Sequence, residues 1–135
     1  MTPRAEQVSK QQESRDPDTG VAADLRAALG RALELGGRPV HRLGSAGTSV
    51  TFAIDDEPDP VVTLLLDRHP PEIRPGNEPA EVAIAFSRDQ ARAFLRGELI
   101  LPNEILSGAV GTRGPVRRYL VADPVLRGLL ARVRA

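Results

Sequence analysis

Few residues in this 135-residue chain could support acid–base or metal chemistry, and their spacing fits no known site. The chain has two histidines, His41 and His69, and no cysteine. Without cysteine there is no thiolate nucleophile and no disulfide, and two histidines outside a His-x-x-x-His spacing do not suit zinc. His69 precedes two prolines and His41 lies between a helical and a strand-like segment. Both are predicted to be surface imidazoles, and no metal site is expected.

An acidic run at 55–59 could suggest a calcium-binding loop. The run is interrupted by Pro58, is followed by Pro60, and lacks the central glycine of an EF-hand loop. Its composition is typical of a turn between two strands. The sequence therefore favours a solvated hairpin turn over a calcium site.

Two further polar features could contact a ligand. Arg88, Arg92 and Arg96 recur every four residues, so on a helix they form one stripe that could meet an anionic headgroup or a protein partner. A solvated helix face is the favoured interpretation. Tyr119, the only tyrosine, could donate to a ligand oxygen at a cavity mouth, but a half-buried anchor for the last helix is favoured.

Recognisable catalytic motifs are missing from the sequence. It contains no Gly-x-Ser-x-Gly, no phosphate-binding loop and no dinucleotide fingerprint. No catalytic residue and no cofactor are predicted.

The composition bears on which classes of partner the protein could bind. Eighteen basic residues balance eighteen acidic ones and only 3% of residues are aromatic, which argues against nucleic-acid binding. No apolar run is long enough to span a bilayer and the N-terminus has no signal-peptide core, so a cytoplasmic protein is expected, with transient membrane-surface contact left open. Seventeen of the basic residues are arginine, which is typical of a GC-rich, bacterial-like genome. The pattern does not predict an oligomeric state.

Residues 1–19 are polar without periodicity and are predicted to be a disordered tail, which leaves 20–135 as one folded domain. Apolar residues then recur at helical spacing from Val21 to Leu33. This predicts a helix with Asp18 or Thr19 as its N-cap, ended by the glycine pair at 36–37.

Alternating apolar residues predict three strands, at 50–54, 61–66 and 82–86. The first two are expected to form a hairpin. A proline-rich segment leaves room for only a short edge strand at 72–74. Inward-facing positions of these strands form one apolar sheet face.

Shorter elements follow the fourth strand. Ser87 and Gln90 fit a capping box that starts a helix ending at Gly97. A second short helix is predicted from Pro102 to Gly108, then a strand over 109–113. Residues 116–133 are predicted to be helical, with a break at "ADP" where Asp123 caps a new helix that begins at Pro124. Strands grouped before helices favour an α+β fold.

The stretch from Ala80 to Gly114 contains four signals for the start or end of a helix or strand, in a fixed order. They are Ser87, the "GEL" at 97–99, Gly108 and Gly114. In this order the chain resembles the sterol carrier protein type-two family, the sterol-binding or non-specific lipid-transfer domain, over about 48–130. The resemblance implies a single five-stranded, mostly antiparallel sheet covered by helices, with an internal hydrophobic tunnel and a genuine third strand at 72–74. Gly111 and Pro115 depart from the family pattern.

If such a tunnel exists, its walls are drawn from the apolar sheet face and the helices above it. From the pattern alone a filled core is the favoured reading, because any half-buried sheet shows this alternation. The candidate lining residues are Phe52, Ile54, Leu64, Leu66, Ile84, Phe86, Phe94, Leu106, Tyr119, Leu126 and Leu130.

Three functions follow as hypotheses. The first is non-enzymatic binding or carriage of a hydrophobic small molecule, fatty acyl or sterol-like, in the internal cavity, with the last helices as its lid. The second is an isomerase- or cyclase-type enzyme acting in that cavity, with Glu98, His69 or Tyr119 as acid or base. The third is a protein-interaction module, because domains resembling this family occur appended to larger enzymes.

Overall fold

The computed structural model describes residues 17–55, 61–76 and 78–134 of the chain. This part of the chain contains five helices and five strands. The helices are α1 (Pro17–Glu34), α2 (Gly37–Gly44), α3 (Arg88–Leu95), α4 (Leu101–Ser107) and α5 (Arg117–Arg134). The strands are β1 (Thr48–Ile54), β2 (Val62–Leu66), β3 (Glu72–Pro75), β4 (Val82–Phe86) and β5 (Gly111–Arg113).

The strands form one mixed sheet in the order β3-β2-β1-β4-β5. β1 and β2 are an antiparallel hairpin, as predicted, and β3 and β5 are also antiparallel to their neighbours. Only β1 and β4 run parallel, with Phe52 opposite Ile84. The five-stranded, mostly antiparallel α+β fold is therefore confirmed, including the short third strand.

One face of this sheet is apolar and completely covered. Residue alternation places large apolar side chains on this face, where helices shield them. The other face carries smaller and polar side chains together with Leu65. Thr51 and Thr63, for example, are cross-strand partners on the other face, with their hydroxyl oxygens 3.0 Å apart. The inward side chains, all buried, are Val50, Phe52, Ile54, Val62, Leu64, Leu66, Val82, Ile84 and Phe86.

The start of α3 is fixed locally, as the sequence predicts. The backbone N–H of Gln90 donates to the Ser87 hydroxyl at 3.0 Å, and the backbone N–H of Ser87 donates to the Gln90 side-chain oxygen at 2.8 Å. The Gln90 amide also donates to the carbonyl of Ala109 at 2.8 Å. The cap that starts α3 therefore also ties it to the segment leading into β5.

The segment before β1 differs from the sequence prediction at two points. α1 begins at Pro17, so the last three residues of the predicted tail are helical, while 1–16 lie outside the described residues. The helix α2, whose eight residues include two glycines and a proline, was not predicted from the sequence. Tertiary packing compensates, because its buried Val40 and Leu43 contact the core. The acidic positions 56–59 lie outside the described residues.

The predicted break in the last helix is wrong. α5 continues through Pro124, and Asp123 is not a cap. Pro124 has no N–H to donate to the carbonyl of Leu120, which is the expected cost of a proline inside a helix. Side-chain hydrogen bonds from Tyr119 and Arg127 to Asp123 span this site and hold the turns on either side together.

In the described ranges, none of the helices combines the length and the hydrophobicity required to cross a bilayer.

Candidate ligand-binding site

Four aromatic rings occupy the centre of the layer between sheet and helices. Phe52 on β1 lies 5.6 Å from Phe86, 6.1 Å from Phe94 and 5.9 Å from Tyr119, measured between ring centroids. Phe86 and Phe94 are 5.5 Å apart. These spacings are those of rings in direct contact, with the Tyr119 ring meeting Phe52 edge-on. Strands β1 and β4 thus supply two rings, and helices α3 and α5 the other two.

Ten of the eleven predicted lining residues are buried together in the cluster that contains these rings. The exception is Leu106 on α4, whose side chain is 80% exposed. The prediction that Leu106 lines an interior cavity is therefore wrong. α4 is only seven residues long and buries Leu101, with Ile105 partly buried against the core, so Leu106 falls on its outer face.

One polar cluster lies inside this apolar layer, and it contains the fully buried Asp123. The Tyr119 hydroxyl donates to one carboxylate oxygen of Asp123 at 2.6 Å, and Nε of Arg127 donates to the other at 2.7 Å. The three residues share one face of α5 because they are four apart. Tyr119 was predicted to be half-buried or at a cavity mouth, but it is fully buried. A buried carboxylate requires such partners.

This cluster has a measurable consequence at high pH. Burial raises the pKa of Tyr119 well above its ordinary value of 10, and the adjacent Asp123 carboxylate adds to the rise. The unfolded chain loses the phenolic proton near pH 10 while the folded chain keeps it. The free energy of unfolding is therefore unaffected by this group below pH 10 and falls as the pH rises above it.

Because Tyr119 is the only tyrosine, absorbance at about 295 nm follows its ionisation alone. We expect the phenolate signal to appear together with alkaline unfolding and not before it. In Tyr119→Phe, stability should fall less steeply above pH 10 than in the natural sequence. A phenolate that forms with a midpoint near pH 10 in the folded protein would contradict the buried hydrogen bond.

The helix layer opens at two clefts that meet at Leu130 and Arg134. One, of about 300 Å³, lies between α3 and α5, and buried Phe94 and Leu130 line it. The other, of about 230 Å³, lies between α1, α3 and α5. The Arg134 guanidinium donates to the carbonyl of Leu95 at 3.1 Å. Arg127 lines the larger cleft together with Arg134, so two guanidinium groups and buried apolar side chains border the same space.

The histidines form a surface pair that the sequence could not show. The rings of His41 and His69 stack with centroids 4.1 Å apart, and Nε2 of His69 lies 2.9 Å from the Ser45 hydroxyl. The same nitrogen is 3.1 Å from the carbonyl oxygen of His41, which can only accept. The contact with this carbonyl is a hydrogen bond in the tautomer that has its proton on Nε2, and in that tautomer His69 cannot act as a base for Ser45. All three side chains are exposed, as predicted for the histidines.

Of the predicted arginine stripe, Arg96 is exposed, while Arg88 and Arg92 are half-buried. Arg92 pairs with Asp89 at 3.2 Å and Arg96 with Glu98 at 2.9 Å, so the predicted arginine stripe has acidic neighbours. Of the acid–base candidates, Glu98 and His69 are exposed and only Tyr119 is inside. Across the described ranges, no group of three acidic or histidine side chains is placed to hold a metal ion.

Solved structures share this arrangement of sheet and helices. A sterol carrier protein 2 from Yarrowia lipolytica aligns with 84% of this chain and 92% of its own, at a TM-score of 0.60 and 13% identity. A sterol carrier protein domain 2 of Helicoverpa armigera aligns with 89% of this chain and 96% of its own, at 0.64 and 13%. The described fold is that of a sterol carrier protein 2 domain.

A third structure with a similar fold comes from a protein whose name refers to ubiquinone synthesis. The UbiJ-SCP2 ubiquinone synthesis protein aligns with 88% of this chain and 94% of its own, at a TM-score of 0.51 and 15% identity. No protein-family model matches the sequence, and no curated protein matches it. At these identities the likeness concerns the fold.

The sterol-carrier fold accommodates both departures of this sequence. Gly111 opens β5, which has only three residues and pairs with β4 through Ala83, Ile84 and Ala85. Pro115 lies between β5 and α5. The last strand is therefore short and exposed, while α5 still packs against α1 and α2.

Proposed function

We propose that this protein binds a lipid-like hydrophobic small molecule, fatty acyl or sterol-like, in the apolar layer between its sheet and helices. The observation that supports this most is the cleft between α3 and α5, because buried Phe94 and Leu130 line it within a sterol-carrier fold. Its volume of about 300 Å³ falls at the lower end of small-molecule sites. Each methylene buried there contributes about 0.8 kcal/mol.

The rim of the cleft indicates which end of the ligand stays outside. Arg127 and Arg134 are the charged residues that line it. The apolar residues that line it, such as Phe94 and Leu130, cannot pair with a charged group of a ligand. Arg127 is already paired with buried Asp123, whereas Arg134 donates only to a backbone carbonyl. We therefore assign the apolar part of the ligand to the Phe94 and Leu130 side, and a polar or anionic end to Arg134.

This proposal predicts that a bulky residue at the cleft blocks uptake. Ala131 is exposed and lines the cleft, so Ala131→Phe is expected to fill it without disturbing the core. Binding of a fluorescent fatty acid should weaken at least tenfold, equal to about 1.4 kcal/mol. Ala23→Phe, at an exposed position on α1 that lines neither cleft, is the control.

Comparing the fatty acid with its methyl ester tests the orientation. We expect the acid to bind more tightly, and Arg134→Gln to remove that difference. The absence of saturable binding of either probe would overturn the proposed function. Equal effects of the two phenylalanine variants would instead place the ligand elsewhere.

A second candidate function is an accessory role in a protein assembly, prompted by the fold shared with the UbiJ-SCP2 ubiquinone synthesis protein. It predicts capture of specific partner proteins by the natural sequence and by Ala131→Phe alike, because no cleft is needed. A ligand-binding function predicts that the natural sequence binds the fluorescent fatty acid and that Ala131→Phe does not.

A further inference from the structure

A second feature, distinct from the α3–α5 cleft, runs along the outer side of α5 where it meets α2. Two adjoining clefts, of about 380 and 400 Å³, share Arg42 and Val125 and form one continuous groove, here called the α2–α5 groove. Most of its lining is apolar. The apolar residues are Pro39, Ala46, Val121, Ala122, Pro124, Val125 and Leu129.

The charged residues that line the α2–α5 groove are all arginines. They are Arg42, Arg117, Arg118 and Arg132, and no acidic side chain lines either half. Arg118 donates to the carbonyl of Gly47 at 2.9 Å. Within the described ranges the other three have no acidic partner.

The local charge contrasts with the neutral chain. Beyond Glu104 the sequence contains six arginines and a single acidic residue, Asp123, which is buried and paired with Arg127. Basic residues are therefore concentrated on the surface to which α5 contributes. A cluster of this kind creates a positive potential that attracts anionic surfaces even when the net charge is zero.

One apolar residue that lines the groove, Val121, is exposed on α5 between the arginines. The Val121 side chain is 76% exposed, an unusual position for valine on a helix. Arg117 and Val125 lie one turn before and after it, so valines occupy the middle of the stripe and arginines its ends. Apolar residues framed by arginines are typical of helices that lie in a membrane interface, with side chains among the acyl chains and guanidinium groups at the phosphates.

We propose that the α2–α5 groove is a docking surface for an anionic lipid bilayer. A second copy of the chain is a poor occupant, because a symmetric contact would place four arginines against four arginines. A nucleic acid would use the arginines but would leave the apolar side chains of exposed Val121 and half-buried Val125 without a partner. This surface goes beyond the proposed ligand binding and does not depend on it.

The proposal is tested with vesicles that contain no fatty acid, so that its outcome is independent of ligand uptake. The natural sequence should co-sediment with phosphatidylcholine vesicles containing about one-third phosphatidylglycerol and not with phosphatidylcholine alone. Arg117→Gln combined with Arg132→Gln should weaken binding by about 25-fold, since each arginine contributes about fivefold near an anionic surface. Arg26→Gln combined with Arg31→Gln, both exposed on α1, removes the same charge elsewhere and should leave binding unchanged.

A single tryptophan reports whether the groove itself contacts the vesicle. The chain has no tryptophan, so Val121→Trp places one reporter in the groove. Its fluorescence should shift to the blue on binding vesicles. Equal weakening in both double variants would show a general charge effect and overturn the proposal, as would vesicle binding without the shift. The absence of binding to anionic vesicles would also overturn it, with fatty-acid binding left intact.

Discussion

Replacing Phe52 by alanine is expected to lower the free energy of unfolding by about 3–5 kcal/mol. Phe52 lies at the middle of β1, is fully buried, and its ring contacts those of Phe86, Phe94 and Tyr119. Its removal therefore takes away buried apolar area and leaves a cavity where the sheet and two helices meet. The loss is a large share of the about 5–15 kcal/mol that holds a typical domain folded. Chemical denaturation followed by circular dichroism measures it.

Leu106→Ala is the matched control, since both residues were predicted from sequence to line the same cavity. Leu106 is exposed, so its truncation should change the free energy of unfolding by less than about 0.5 kcal/mol. The denaturation midpoint should move for Phe52→Ala with little change in slope. A similar cost for both variants would contradict the burial described for β1 and α4.

Gly114→Ala is expected to cost about 2–5 kcal/mol, from two additive causes. The glycine has φ near +90°, a region that costs a residue with a Cβ about 1–2 kcal/mol. A Cβ there would also overlap the carbonyl oxygen of Glu81, where the chain leaving β5 crosses the start of β4. Overpacking of this kind adds about 1–3 kcal/mol. The variant is thus expected to loosen the junction that leads into α5.

Gly108→Ala separates the two causes. Gly108 ends α4 with φ near +85°, but a Cβ there would meet no atom within 4 Å. Its cost should be confined to the backbone, about 1–2 kcal/mol. Thermal or chemical denaturation of the two variants side by side gives the difference. If Gly108→Ala were as damaging as Gly114→Ala, the close approach to Glu81 would not be what requires glycine.

Local chemistry accounts for the features that could be predicted from the sequence. The period-two alternation of β1, β2 and β4 determines which face is apolar, because successive side chains of a strand point to opposite sides. The capping box at Ser87 needs only residues three apart, and it is present as predicted. Gly108 and Gly114 have positive φ, a conformation that glycine adopts at little cost because it has no Cβ.

Prediction failed where burial and side-chain contacts, and not periodicity alone, determine the outcome. Pro124 was read as a helix start, but buried Asp123 bonds Tyr119 and Arg127 across it and α5 continues. α2 has weak helix formers and exists because Val40 and Leu43 are buried by the core. Leu106 was placed inside because the pattern of a seven-residue helix does not fix which turn faces the sheet.

The candidate site divides in the same way. The sequence by itself determined the strand faces, the apolar side chains between sheet and helices, and the lack of a catalytic motif. Only the tertiary structure decided that Arg127 and Arg134 edge a cleft lined by Phe94 and Leu130, and that arginines of α2 and α5 frame one groove. The physical reason is that periodicity fixes the direction of a side chain from its own backbone, whereas a cleft is defined by how closely separate elements approach.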